Sequence, residues 1–121
     1  MAITRYYKQP LAITVKFSKN PLTPYNKEYS DIEDVSMNLK KNLATDLDDQ
    51  YVEKKQSNTE VSVNESKHTF TMELLTTDYT NIEVGDILYL TVNVKVVGIA
   101  DYIELPIDDR KVIISQDTNR A

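Results

Sequence analysis

The stretch Lys67-His68-Thr69-Phe70-Thr71-Met72-Glu73-Leu74-Leu75, followed after a polar corner by Asp86-Ile87-Leu88-Tyr89-Leu90-Thr91-Val92-Asn93-Val94-Lys95-Val96-Val97, decides the fold. Phe70, Met72 and Leu74 take one face of the first segment, and Leu88, Leu90, Val92, Val94 and Val96 take one face of the second. Thr, Glu, Asn and Lys fill the alternate positions. A period of two is the signature of a strand buried on one side, because successive side chains point to opposite faces of a sheet. The corner between them, Thr77 to Asp86, holds Tyr79 and then Gly85 directly before the longest strand.

Outward from this pair the alternation recurs. Leu11, Ile13, Val15 and Phe17 interleave with Ala12, Thr14 and Lys16. Ile32, Val35, Met37 and Leu39 stand against Asp34, Ser36, Asn38 and Lys40, a strand entered by a short irregular step. Tyr51–Lys55 and Glu60–Asn64 are short strands around a Gln56-Ser57-Asn58 turn. Gly98 ends the long strand, Tyr102–Ile107 resumes until Pro106 interrupts it, and Val112-Ile113-Ile114 closes the sheet. Pro21 and Pro24 bar a central strand between 19 and 25. A Tyr and a Gly in the corner before a long strand is how many immunoglobulin-like sandwiches cross between sheets, with the Tyr plugging the end of the core. The expected class is therefore all-β: an antiparallel immunoglobulin-like β-sandwich of seven or eight strands. Val35, Met37, Leu39, Phe70, Met72, Leu74, Leu88, Leu90, Val92 and Val94 are expected to share its core.

The 121 residues suffice for one domain, read as an N-terminal arm over 1–10 and a single sandwich over 11–121. No apolar run is long enough for a membrane span, and Met1 to Tyr7 lacks the apolar core of a signal peptide, so a soluble protein made in the cytoplasm is expected. The absence of cysteine excludes disulfides, thiolate metal sites and cysteine nucleophiles. A net charge of −5, from 14 basic and 19 acidic residues, opposes binding to a phosphate backbone, so no nucleic-acid partner is expected.

Chemistry has little to stand on. Asp46, Asp48 and Asp49 resemble a hard-cation cluster in composition, but they lack the Gly and Glu spacing of a calcium loop. They are read as a solvated connector, as are Asp108 and Asp109 in a turn, and no metal or cofactor is expected. His68 is the only histidine, which leaves no pair for zinc and no relay. No Ser lies in a nucleophile elbow, and two glycines cannot supply a phosphate-cradling loop. An enzyme is not expected. Tyrosines beside cations outside regular strands have the composition of a protein interface, so Arg5, Tyr6, Tyr7, Lys8, Tyr25 and Tyr29 are the candidate contact residues, against the plainer reading that the arm packs on its own sandwich.

The order Asp31-Ile32-x-x-Val35-x-Met37-x-Leu39-Lys40, Asp46-x-Asp48-Asp49-x-Tyr51-x-x-Lys54, Phe70-x-Met72, Asp78-x-x-x-Ile82-x-x-Gly85-x-x-x-Tyr89 and Ile114-x-x-Asp117-x-x-Arg120 resembles small immunoglobulin-like virion proteins of tailed bacteriophages. These are similar to the N-terminal domain of phage baseplate upper proteins. The likeness covers roughly residues 31 to 120; the departure is the scarcity of glycine, notably in the turn at 64–67, where relatives often carry it. The resemblance implies a virion component made in the host cytoplasm, multi-copy or oligomeric, that binds other virion proteins and carries no catalytic residues. The alternative class is a carbohydrate- or cell-surface-binding sandwich; the lack of Trp removes the usual sugar-stacking ring but leaves Tyr.

Overall fold

The computed structural model describes residues 3–6, 11–40, 50–75, 77–78, 82–83, 85–107 and 111–115. Among the described residues nine strands lie in two sheets: β1 (Ile3–Tyr6), β2 (Leu11–Lys16), β3 (Ile32–Lys40), β4 (Gln50–Lys55), β5 (Val61–Asn64), β6 (Thr69–Leu74), β7 (Ile87–Val96), β8 (Ile103–Leu105) and β9 (Lys111–Ser115). The larger sheet runs β1-β9-β7-β3-β4, with β8 also paired to β7, and the smaller runs β2-β6-β5. The chain therefore changes sheet between β1 and β2, β2 and β3, β4 and β5, and β6 and β7. Among the described residues the helical turns are short 3-10 segments at Thr23–Tyr25, Tyr29–Asp31 and Gln56–Asn58, and Thr77 and Asp78 are also in 3-10 geometry. The all-β class is borne out, and each of the eight alternating segments is a strand.

The ninth strand corrects the expected arm. Ile3, Thr4, Arg5 and Tyr6 pair in parallel with Val112, Ile113, Ile114 and Ser115, so the sandwich is not wholly antiparallel. Ile, Thr and Tyr suit a pleated surface, and four residues need no alternation of their own once β9 supplies a partner.

Register fixes the core. Leu39 faces Leu90, Met37 faces Val92 and Val35 faces Val94 across β3 and β7, while Ile13 faces Met72 and Val15 faces Phe70 across β2 and β6. All ten expected core side chains are fully buried, joined by Ile13, Leu22, Ile82, Leu105 and Val112. Each such side chain is worth about 1.5–3 kcal/mol of burial. The irregular entry to β3 is a register shift between Ile32 and Asp34. Pro106 follows the β8 ladder, where Leu105 faces Val92, and a separate ladder starts with Lys111 facing Tyr89. A proline has no N–H to extend a ladder, so the last arm of the sheet is split in two. Gly98 takes φ of +85° in the turn after β7, a conformation that suits glycine, and ends that strand as expected.

Candidate interaction surface

The loop from β2 to β3 is built around Asn20. Its Oδ1 accepts the Leu22 N–H at 2.9 Å, its carbonyl accepts the Thr23 hydroxyl at 2.9 Å, and its Nδ2 donates to the Lys27 carbonyl at 3.3 Å. Leu22 is fully buried beneath and Pro24 lies in the first positions of the 3-10 turn, which leaves Tyr25 39% exposed on an anchored loop. Tyr25, one of the candidate contact residues, thus lies at the surface.

Tyr29 is a correction. It is buried, its ring stacks on His68 with centroids 5.7 Å apart, and it leans on Phe70 at 6.3 Å. Its hydroxyl lies 2.7 Å from His68 Nδ1. Burial, with the nearby Glu65 charge second, pushes its phenol above the usual value. The loop at 20–28 turns the chain inward just before Tyr29, so proximity to prolines in sequence misled: Tyr29 is a packing residue. His68, held at φ of +55° in the turn before β6, is its partner.

Arg5 and Tyr6 lie on β1, the edge strand of the larger sheet among the described residues; their side chains, together with Tyr7 and Lys8, lie outside the described residues. So do Asp46, Asp48, Asp49, Tyr79, Asp108 and Asp109. Beside β1 the outer face of the sheet carries an apolar pair. Ile87 is 46% exposed and sits directly opposite the half-buried Ile113, which in turn pairs with Thr4. Since Leu88 and Val112 point into the core, Ile87 and Ile113 necessarily point out. The middle of that face is different: Ser36, Asn38 and Thr91 also point outward yet are 5%, 2% and 1% exposed, short polar groups recessed between strands.

Two polar clusters were not foreseen. Asp34, at the β3 register shift, accepts from Val35 N–H and Ser57 N–H, each at 2.9 Å, from Ser57 Oγ at 3.2 Å and from Tyr102 Oη at 2.7 Å. Burial works to raise the Asp34 carboxyl, but these donors together outweigh it and hold it below the usual range. The same bond, then burial, pushes Tyr102 up to about 12. On the inner face of β4, Lys54 is 6% exposed and its Nζ lies 2.8 Å from Asp78 Oδ2 and 3.9 Å from Glu60 Oε2. The signal was present in the sequence, because Lys54 shares parity with the core residue Val52.

On the smaller sheet an open cleft of about 760 Å³ is lined by Ser62, Asn64, Ser66, Thr69 and Thr71 among others, with no aromatic ring in its wall. Among the described residues no group of three or more acidic, His or Cys side chains is placed to hold a metal, and no helix is long and apolar enough to cross a membrane. Compared with protein-family models and with curated protein sequences, the chain matches none.

Proposed function

We propose that this protein is a structural, non-enzymatic part of a tailed-phage particle that acts by binding other virion proteins through the β1 edge of its larger sheet. The observation that carries this reading is the juxtaposition there of an edge strand with an outward apolar pair. Among the described residues β1 pairs with β9 alone, so its other side offers an edge for strand addition, and Ile87 and Ile113 offer apolar contact alongside it. The order of strands supports the immunoglobulin-like part of the reading: β2-β6-β5 against β9-β7-β3-β4 is the arrangement of a Greek-key sandwich with one added edge strand. The identity of the assembly rests on the motif order from Asp31 to Arg120.

The test is made on particles. Purified virions of the producing phage, digested and read by mass spectrometry, contain this chain in a fixed ratio to other structural proteins, and Ile87→Lys lowers its incorporation at least tenfold while the isolated variant keeps its circular-dichroism spectrum. A chain abundant in infected cells but missing from washed particles would overturn the proposal.

A further inference from the structure

Lys54, Asp78 and Glu60 form a cluster that differs from the ordinary ion pair of this protein. Lys95 and Glu33 meet at 3.4 Å with side chains 36% and 49% exposed, as surface pairs do. Lys54 instead points into the sandwich from β4, opposite the buried Met37, and its side chain is 7% exposed against 19% for Asp78. A lysine normally carries its ammonium to water. Here Nζ ends on a carboxylate 2.8 Å away, and that carboxylate is itself fixed, since Oδ2 also accepts the Leu75 N–H at 2.7 Å. Glu60 reaches the same Nζ from the start of β5 at 3.9 Å.

We propose that Lys54 and Asp78 condense into an intramolecular isopeptide bond, with Glu60 carrying the proton, so that the two sheets become covalently stapled. A proton passes from the Lys54 ammonium to Asp78 Oδ2 along the existing contact, which leaves a neutral amine and a neutral acid. The amine lone pair attacks Cγ and forms the N–C bond. Negative charge gathers on Oδ1, because Oδ2 now carries the proton, while the Leu75 N–H holds the carboxyl in place. Glu60 takes a proton from Nζ and delivers it to Oδ2, which then holds two protons and leaves as water when its C–O bond breaks. One amide and one water result, with no oxidation and no co-reactant. Amide formation is disfavoured in water, but groups held in contact gain an effective molarity of about 10⁵–10⁸ M.

The bond joins β4 of the larger sheet to the chain just beyond β6 of the smaller one, between elements that share no hydrogen-bond ladder. Intact mass spectrometry of the denatured full chain tests it directly. The wild-type protein is expected 18 Da below its sequence mass, with tandem spectra placing the loss on a branched peptide containing Lys54 and Asp78. Lys54→Arg keeps the charge but cannot condense, and is expected at full sequence mass; Glu60→Gln is expected to lower the crosslinked fraction of freshly made protein at least tenfold. A wild-type chain at full mass overturns the proposal, as does an 18 Da loss that persists in Lys54→Arg. A Glu60→Gln chain that crosslinks as fast as wild type overturns the role of Glu60.

Discussion

Tyr29 Oη lies 2.7 Å from His68 Nδ1 across 39 residues of sequence, tying the loop before β3 to the turn before β6. The pair closes one end of the core over Phe70, with Phe17 packed edge-on to the same ring at 5.6 Å. Tyr29→Phe keeps the ring and removes the bond, so it is expected to cost about 1 kcal/mol. His68→Gly removes the partner without strain at a positive φ. A double-mutant cycle by urea denaturation should return a coupling of about 0.5–1.5 kcal/mol; a coupling near zero would mean that the contact adds nothing beyond packing.

Leu90→Ala is expected to destabilise by about 2–5 kcal/mol, because Leu90 is fully buried on the central strand β7 against Leu39. A loss below about 1 kcal/mol in the same denaturation assay would contradict the β3–β7 register.

The Asp34–Tyr102 bond makes stability depend on pH at both ends. Asp34 is depressed, so its contribution is present above the ordinary carboxylate value and fades as pH falls through the lower folded one. Tyr102 is raised, so its contribution is complete below the ordinary phenol value near 10 and is lost as pH rises through about 12. Tyr102→Phe should therefore lower the urea midpoint at neutral pH, and the gap to wild type should narrow towards pH 12 and below pH 4. Tyr102 is 40% exposed, so solvent screens the bond and the gap is small. A gap that is constant from pH 3 to 12 would dissociate it from this bond.

Removal of residues 1–9 deletes β1 and its ladder to β9. The expected result is a melting temperature lower by a few degrees, since about 1 kcal/mol corresponds to roughly 4 °C in a domain of this size, together with loss of incorporation into particles. An unchanged melting temperature would show that β1 adds nothing to the sheet, and normal incorporation would remove the β1 edge from the interface.

The local chain determined which segments are strands and which of their side chains are buried. From Phe70 to Leu74 and Leu88 to Val96, parity alone names the inward positions, because the pleat imposes it residue by residue. The same rule places Val35, Met37 and Leu39 inside without reference to any partner. Tertiary structure decided what no period encodes. Ile3–Tyr6 is a strand only because β9 lies beside it, and Tyr29 turns inward only because His68 and Phe70 wait there. Asp34 and Tyr102 meet across 68 residues. Lys54, legible as inward by its parity with Val52, finds Asp78 only where two sheets close on each other. Alternation is a property of one strand, whereas these contacts depend on where the chain crosses between sheets, and the crossings are fixed by the packing of the whole core.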